Sequence, residues 1–277
     1  MKIYISCDME GTAGVCSWAQ CDPSNAGEYP IYRRYMSREV RAAIDGAREG
    51  GATEFLINDS HWDMRNLLWE ELPDDVRVIS GARKPLSMSQ GFGSGFAGAL
   101  FTGYHGKSGE AGATLAHTYT SDSIFNVTIN GTTCSEATLN AASAGCHGIP
   151  LLLVTGDSTI VRDVREQMPW VTGVAVKESI GYYAAGSLTP AAACDAIRAG
   201  AREALERAAH AKPFVFDPPV TMDIELARVE CADFVELMPE FRRIGGRTVR
   251  FTAPDYPSVF RAFVAAFRLA GAALVSA

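Results

Sequence analysis

Short apolar runs alternate along the chain with amphipathic stretches of helical period, and this alternation constrains the fold more than any other feature. The clearest apolar runs are residues 2–7, 54–60, 99–104, 150–155 and 171–176. Strands that alternate with helices are typical of βαβ units, in which a parallel sheet carries helices on its faces. We therefore predict an α/β fold with a mainly parallel, mixed sheet flanked by helices.

Two parts of the sequence depart from this pattern. At residues 125–129 apolar and polar side chains alternate and Asn130-Gly131 follows, which predicts a β-hairpin and an antiparallel excursion of the sheet. Beyond residue 190 the predicted order is helix, strand, helix, strand and helix. We expect two domains, a larger α/β domain over residues 1–190 and a smaller α+β domain over residues 191–277.

The segment between the first two strands shows no periodicity. Residues 11–35 are rich in Gly, Ser, Pro and Asn, which predicts a long loop over the edge of the sheet. Ser37 is predicted to cap the helix that follows, because Val40, Ala43 and Ala47 then fall on one face. Long loops at such an edge often carry functional residues.

The overall charge disfavours two classes of partner. The chain has 277 residues, 47% of them hydrophobic, and a net charge of −7. It therefore offers no basic surface for nucleic acid or an anionic membrane, and no apolar stretch has the length of a membrane span or the position of a signal peptide. The seven cysteines are scattered, with no Cys-x-x-Cys pair, and are interpreted as reduced thiols. We expect a cytoplasmic protein without nucleic-acid or membrane partners.

Side chains that can bind metal directly follow three of the apolar runs. Asp8 and Glu10 follow the first run, His61 the second and His105 the third. The carboxyl ends of parallel strands meet at one edge of a sheet, so residues distant in sequence converge there. Asp8 and Glu10 are two residues apart and point the same way while the chain is extended, which directs two oxygen ligands to one place. This pattern predicts a metal site.

Two further residues are candidates for the same site. Glu136 falls in the first turn of a predicted helix, where the helix dipole favours a carboxylate, and His117 precedes the hairpin that leads to this helix. Taken singly, an acidic residue at a strand end is usually a cap, and a histidine is usually a surface or hydrogen-bonded core residue. Taken together, these side chains favour a shared metal site. His147 and His210 are given no functional role.

Three other side chains are candidates for supporting roles. Asp59 lies two residues before His61 and is expected to orient its imidazole. Asp157 and Lys177 end later apolar runs. They are interpreted either as groups that support the site or contact substrate, or as a helix cap and a solvated lysine.

The number of charges predicts two metal ions. Three carboxylates and two imidazoles supply too much negative charge for one catalytic zinc with three protein ligands. Two Zn²⁺ ions would balance the three carboxylates and a bridging hydroxide, so we predict a dinuclear hydrolytic site. Mixed nitrogen and oxygen ligands suit zinc, with manganese, cobalt and iron as alternatives. The predicted metal ligands are Asp8, Glu10, His61, His105 and Glu136.

Several motifs occur in order along the larger domain: Ser6-Cys-Asp-Met-Glu-Gly11, Asn58-Asp-Ser-His61, Ile79-Ser-Gly with Lys84-Pro and Ser87-Met, Gly103-Tyr-His105, and Glu136 with Leu139-Asn140. Together they resemble the zinc-dependent D-aminopeptidases of the DppA type. The resemblance implies a self-compartmentalising decamer of two stacked pentameric rings, with a dinuclear zinc site in each subunit. Residues 179–183 and 11–35 depart from the family pattern, which bears on substrate preference and not on metal binding.

The resemblance also implies a role for each site residue. Asp8 would bridge the two zinc ions, and Glu10 and Glu136 would complete one of them. His61 and His105 would complete the other. His117 matches the catalytic histidine of the family and would act in proton transfer or as the nucleophile.

We predict a zinc metallopeptidase that removes the N-terminal residue, D-configured, from short peptides, with two zinc ions per subunit activating water. One alternative is a dinuclear metallohydrolase that acts on another amide or an ester. A phosphate ester is disfavoured because no arginine cluster follows the strands. A second alternative is a peptide-binding protein without catalysis. The expected partners are a short peptide substrate and further copies of the same chain.

Overall fold

The apolar runs form a mainly parallel sheet with helices on both faces, which confirms the predicted fold class. The computed structural model describes residues 1–275. Seven strands form this first sheet: β1 (Lys2–Cys7), β2 (Glu54–Asp59), β3 (Arg77–Ile79), β4 (Gly98–Tyr104), β7 (Leu151–Asp157), β8 (Thr172–Gly181) and β9 (Ala184–Ser187). All neighbouring pairs are parallel except β8 and β9, which form an antiparallel edge.

The strand order of the first sheet reverses at β1. The order is β3-β2-β1-β4-β7-β8-β9, so the chain builds one side of the sheet with β2 and β3 and then returns to the other side of β1 with β4. A reversal of this kind opens a crevice beyond the carboxyl ends of the two strands that diverge, which is where α/β proteins bind ligands. The ends of β1, β2 and β4 therefore border one crevice.

Seven α-helices accompany the strands in residues 1–275: α1 (Trp18–Cys21), α2 (Tyr29–Glu49), α3 (Glu136–Gly145), α4 (Ser158–Gln167), α5 (Pro190–Glu206), α6 (Val229–Val235) and α7 (Tyr256–Ala272). Alternate side chains of β1 point to opposite faces of the sheet. Ile3 and Ile5 belong to the core under α2 and α5, and Tyr4 belongs to the core under α3 and α4. Among residues 1–275, no helix has both the length and the apolar character needed to cross a membrane.

A second, antiparallel sheet lies beyond α3. Its strands are β5 (Ile124–Ile129), β6 (Thr132–Thr133), β10 (Val220–Leu226), β11 (Arg242–Arg243) and β12 (Thr248–Ala253), in the order β11-β12-β10-β5-β6. The predicted hairpin is confirmed, since Asn130 and Gly131 connect β5 and β6 with φ angles of 49° and 83°. It does not extend the first sheet as expected, because β5 pairs with β10.

The helix α3 lies between the two sheets. Ala137 and Ala141 belong to the core under the first sheet, whereas Leu139 and Ala142 belong to the core of the second. The expected division into residues 1–190 and 191–277 stays a prediction. The second sheet takes β5 and β6 from the first of these ranges, and α5 from the second packs against α2 on the first sheet.

The prediction of a long loop over residues 11–35 is wrong for residues 29–35 and for the short helix α1. The helix α2 already begins at Tyr29, with Pro30 in its first turn, where a missing N–H costs nothing. Ser37 therefore lies inside this helix and does not cap it. Its hydroxyl donates to the carbonyl of Arg33 at 2.8 Å and accepts the N–H of Leu68 at 2.9 Å, so a serine that resembled a cap is satisfied within the helix.

Candidate active site

The crevice at the carboxyl ends of β1, β2 and β4 contains all the predicted metal ligands. Asp8 and Glu10 follow β1, His61 follows β2, and His105 follows β4. Glu136 joins them from the first turn of α3. All five side chains are buried, with relative exposures between 2% and 3%. Residues between positions 8 and 136 of the sequence thus form one cluster in space.

Close backbone contact between β1 and β4 brings Asp8 next to His105. The N–H of Asp8 donates to the carbonyl of Thr102 at 2.8 Å, and the N–H of Gly11 donates to that of Gly103 at 2.8 Å. A Cβ on Gly103 would lie 2.1 Å from the backbone oxygen of Asp8, and its φ is +69°. Only glycine allows this approach, so the sequence at this position directly determines the geometry of the site.

The start of α3 fixes the position of Glu136. Ser135 caps the helix, and its side chain accepts the N–H of Thr138 at 3.2 Å. The carboxylate of Glu136 accepts the N–H of Tyr119 at 2.6 Å. The carboxylate thus lies at the positive end of the helix dipole with one oxygen already directed by the backbone.

The two oxygens of Asp8 face different histidines. Oδ1 lies 3.3 Å from Nδ1 of His61, and Oδ2 lies 3.5 Å from Nε2 of His105. Glu10 Oε2 lies 3.0 Å from the same nitrogen of His61, and Glu136 Oε1 lies 3.5 Å from the same nitrogen of His105. The cluster is therefore arranged around two neighbouring points, with Asp8 between them.

Backbone carbonyls fix the tautomers of the three histidines. Nε2 of His61 lies 2.8 Å from the carbonyl of Cys21, Nδ1 of His105 lies 3.0 Å from that of Gly106, and Nδ1 of His117 lies 2.8 Å from that of Leu115. A carbonyl only accepts, so each of these nitrogens carries a hydrogen and donates it. The other nitrogen of each ring then turns a lone pair or a second proton toward the carboxylates. Histidines that bind metal are oriented in this way.

The electrostatics of the cluster favour positive charge between its members. Burial, and then the carboxylate of Glu10, raise the pKa of Asp8 to about 7. Burial disfavours the imidazolium of His105, but Glu136 and the other carboxylates outweigh it and raise the pKa of His105 to about 10. Burial likewise opposes ionisation of Glu136, and His105 outweighs it and lowers the pKa of Glu136. A proton or a metal cation is stabilised at these positions.

The donor atoms of the cluster fit zinc. Glu10 Oε2 and His105 Nε2 are buried and have no hydrogen-bond partner among residues 1–275. Buried polar atoms that remain unpaired cost free energy unless an ion or water satisfies them. Carboxylate oxygens and imidazole nitrogens together are the ligands of catalytic zinc. The assignment of each ligand to one of two ions stays a prediction.

His117 lies beside the predicted ligands and lines the same cavity. Its ring stacks on that of His105 with a centroid distance of 4.2 Å, and Nε2 lies 3.6 Å from Oε1 of Glu136. The indole of Trp18 meets the ring edge-on at 5.2 Å. Burial, and then the charge of His105, lower the pKa of His117, which favours a neutral imidazole that can accept a proton.

Lys177 and Asp157 support the site from β8 and β7. Lys177 is buried, and its ammonium donates to the carbonyl of Glu10, to that of Thr12 at 3.3 Å and to that of Val15 at 2.6 Å. Asp157 caps α4 and also accepts the N–H of Gly106, next to His105, at 3.1 Å. Both residues hydrogen-bond to the backbone of the site and not to the side chains of the predicted metal ligands.

Asp59 does not orient the imidazole of His61, so this expectation is wrong. Nε2 of His61 donates to the carbonyl of Cys21, and Nδ1 faces Asp8 and Glu10. Asp59 instead accepts the N–H groups of Asn66 at 2.6 Å and Leu67 at 2.8 Å. The side chain of Asn66 then donates to the carbonyl of His61 at 2.7 Å. Asp59 therefore acts on the backbone of the segment that follows β2.

The cluster opens into a cavity of about 450 Å³. Its walls include Trp18, Trp62, Met64, Tyr119 and Phe267. Trp62, Met64 and Tyr119 have φ angles of 50°, 60° and 62°, a region that residues other than glycine rarely adopt. Backbone strain of this kind persists where the surrounding structure enforces it, and it concentrates at functional sites.

This fold and site can be compared with known proteins. A family model described as D-aminopeptidase, peptidase family M55, matches residues 1–265. The D-aminopeptidase of Bacillus subtilis (strain 168) is 35% identical over 274 residues, which cover 98% of each chain. The solved structure of the Zn-dependent D-aminopeptidase DppA from Bacillus subtilis, described as a self-compartmentalizing protease, matches with a TM-score of 0.94 and 34% identity over 98% of each chain.

The buried cluster at the switch point of the sheet, together with these similarities, defines a metal-dependent peptidase. The chain belongs to the D-aminopeptidase family, peptidase family M55. The family predicted from the sequence motifs is therefore confirmed.

Proposed function

We propose that this chain is a zinc-dependent aminopeptidase that removes an N-terminal D-amino acid from short peptides, with two zinc ions in each subunit. One observation carries the proposal. In a member of the D-aminopeptidase family, three carboxylates and the inward nitrogens of three histidines converge in one buried cluster that opens into a cavity. A peptide-binding protein has no need for such a costly concentration of buried charge.

The metal would be bound by Asp8, Glu10, His61, His105 and Glu136. Asp8 would contribute to both ions, because its two oxygens face different histidines. When bound, zinc supplies Lewis acidity toward the scissile carbonyl and lowers the pKa of water. The relative described as Zn-dependent supports zinc over other divalent ions.

His117 would move the proton in this reaction. The lowered pKa of its imidazole favours the neutral form, and Nδ1 donates to the carbonyl of Leu115, so Nε2 is the atom that would accept a proton. The stacked ring of His105 and the edge of Trp18 limit its rotation. His117 would accept a proton from the attacking water and return one to the leaving amine.

The chain would assemble into a homo-oligomer, a decamer of two pentameric rings by family resemblance, in the cytoplasm. The relative described as self-compartmentalizing supports assembly. Apolar side chains at the β8–β9 edge also support it, since Ile180 is 76% exposed and Tyr183 63% exposed. Exposed apolar groups on an edge strand are typical of protein–protein contacts.

Elemental analysis and an assay on reconstituted protein test the proposal together. We expect two zinc ions per chain and release of the N-terminal residue from D-alanyl amides and D-alanyl peptides, with slower release from the L-forms. Metal-loaded protein that releases nothing from any short peptide or amide would exclude the proposed activity. Activity on a cyclic amide or a phosphate ester alone would favour a different metallohydrolase.

Replacement of His117 separates catalysis from metal binding. His117→Ala is expected to lower kcat by about 100-fold or more, the usual contribution of proton transfer, while two zinc ions remain bound. The exposed His147 lies in the turn after α3, and His147→Ala is the matched control with unchanged turnover. Loss of zinc in His117→Ala would instead make His117 a ligand.

A further inference from the structure

Two arginines from distant parts of the sequence border the cavity of the proposed active site. Arg83 lies in the turn after β3, and Arg268 lies in the last turns of α7. Arg268 donates to the carbonyl of Lys84 at 3.4 Å, and its guanidinium lies 5.3 Å from the centre of the Phe267 ring. The turn at Arg83 has a φ angle of 63°, another strained backbone position at this cavity.

Neither guanidinium forms a salt bridge with an acidic side chain of residues 1–275, whereas most other arginines do. Asp63 borders the same cavity, but it pairs with Arg65 at 2.5 Å. Arg268 contacts the carbonyl of the residue that follows Arg83, so both cations lie at the same part of the cavity. In agreement with this, partial burial and then the positive charge of Arg83 lower the pKa of Arg268. Two guanidiniums that border one cavity without a salt-bridge partner in residues 1–275 form a site that an anion stabilises.

The buried side of the cavity carries three carboxylates. Its exposed side carries two arginines without a salt bridge in the described part of the chain, together with Asp122 and with Asp63, which pairs with Arg65. Asp8, Glu10 and Glu136 lie on the buried side, and both arginines are exposed. A short peptide has the matching polarity, because its N-terminus is an ammonium and its C-terminus a carboxylate. An aminopeptidase places the N-terminal end of its substrate at the reacting groups, so the C-terminal end points to the mouth.

We propose that Arg83 and Arg268 form a subsite for the C-terminal carboxylate of the peptide substrate, which makes the enzyme selective for short peptides with a free C-terminus. This inference rests on the proposed function, because the orientation of the peptide follows from it. Guanidinium groups bind a carboxylate through paired, charge-assisted hydrogen bonds. A cavity of about 450 Å³ accommodates a peptide of only a few residues between the two ends.

The subsite is tested with pairs of substrates that differ only at the C-terminus. Wild-type protein is assayed on a D-alanyl dipeptide and on its C-terminal amide, and kcat/KM is expected to be at least about 10-fold higher for the free acid. Arg83→Met and Arg268→Met should each lower kcat/KM for the acid by about 10-fold to 100-fold, mainly through KM, and should leave the amide unchanged. The double variant should no longer distinguish acid from amide.

Arg261→Met is the matched control, because Arg261 is exposed on the same helix α7 but lies outside the cavity. It should keep the preference of the wild type. Equal losses on acid and amide would overturn the subsite, as would a wild type without preference for the acid. A change of oligomeric state in the variants, measured by light scattering, would assign the arginines to a subunit contact instead.

Equilibrium binding separates the subsite from the proposed reaction. A dipeptide whose peptide bond is reduced to a methylene amine cannot be cleaved, and its acid should bind the wild type at least about 10-fold more tightly than its amide. If this preference is present and depends on both arginines while no peptide is cleaved, the subsite stands and the proposed function fails. If cleavage is observed without any preference, the proposed function stands and the subsite fails.

Discussion

A single buried ammonium, that of Lys177, binds the segment that carries Glu10. It donates to carbonyls at residues 10, 12 and 15, so this segment is held by a side chain from a strand on the far side of the sheet. Glu39 of α2 contacts the same segment, since it accepts the N–H of Ala13 at 2.8 Å. Two ionisable groups are therefore buried where they hydrogen-bond the backbone beside Glu10, a predicted metal ligand.

Lys177→Met should weaken zinc binding without altering any ligand. The substitution leaves buried carbonyls without a donor, which is expected to cost about 3 kcal/mol of unfolding free energy and about 10-fold to 100-fold in zinc affinity. Urea unfolding and titration against a chromophoric chelator measure the two effects. Lys212→Met is the control, because Lys212 is exposed. Unchanged zinc affinity in Lys177→Met would show that the segment keeps its shape without the ammonium.

Glu39 should make stability depend on pH. Burial raises the pKa of its carboxyl from 4.5 to about 7. A group whose pKa is higher in the folded state stabilises fully below its unfolded pKa, and this contribution is lost as the pH rises through the folded pKa. Glu39→Gln cannot ionise, so its advantage over the wild type should grow between pH 4.5 and 7 and then level off at about 3 kcal/mol.

Unfolding measurements at pH 5 and pH 8 test this dependence. The difference in unfolding free energy between Glu39→Gln and wild type should be several-fold larger at the higher pH. The exposed Glu54 provides a control, since Glu54→Gln should show no such change. A difference that stays constant between the two pH values would mean that the pKa of Glu39 is the same in the folded and the unfolded state.

At the scale of elements, the meeting of β1 with β4 sets the spacing of the site. The predicted strands are confirmed, and the residues that follow them lie together at one edge of the sheet, because parallel strands with metal-capable ends leave a clear pattern in sequence. Their role as metal ligands stays a prediction. The start of α2 does not follow from the sequence pattern, because no side chain caps this helix and its first residue, the aromatic Tyr29, is not a typical helix start. The roles of Lys177 and Arg268 depend on contacts between elements far apart in sequence, which periodicity does not report.

Gly103→Ala should disturb this contact more than a comparable glycine substitution elsewhere. Its Cβ would lie 2.1 Å from the backbone oxygen of Asp8, so β1 and β4 would have to separate. We expect a loss of about 3 kcal/mol of stability and weaker zinc binding. Gly112→Ala is the matched control, because Gly112 has a similar φ of +72° with no atom within 4 Å of a Cβ. Equal effects of the two substitutions would assign the cost to backbone conformation alone.

At the scale of the molecule, the predicted metal ligands join parts of the chain that pack in different cores. Asp8, His61 and His105 extend from the first sheet, while Glu136 belongs to α3, which also packs against the second sheet. Like charges from these parts repel each other unless cations lie between them. Zinc is therefore expected to contribute to the stability of the whole fold and not only to catalysis.

Chelation should reveal this contribution. Treatment with EDTA should lower the melting temperature of the wild type, and addition of zinc should restore it. Asp8→Asn removes one of the crowded carboxylates and keeps an acceptor for the N–H of Met9. After chelation, Asp8→Asn should therefore melt at a higher temperature than wild type, yet gain little from zinc. A variant that melts lower under both conditions would contradict the electrostatic explanation.

The carbonyls of Cys21, Gly106 and Leu115, which accept the outer N–H groups of the three histidines, belong to the main chain. No point substitution can delete them, so an alanine scan of the neighbouring side chains would pass over the groups that fix the imidazoles. The residues at these three positions are constrained by packing instead, since a Cβ on Gly106 would lie 2.5 Å from Ala113 and both Cys21 and Leu115 are buried in the core. The orientation of the histidines therefore depends on the path of the main chain, which the packing around these three residues holds in place.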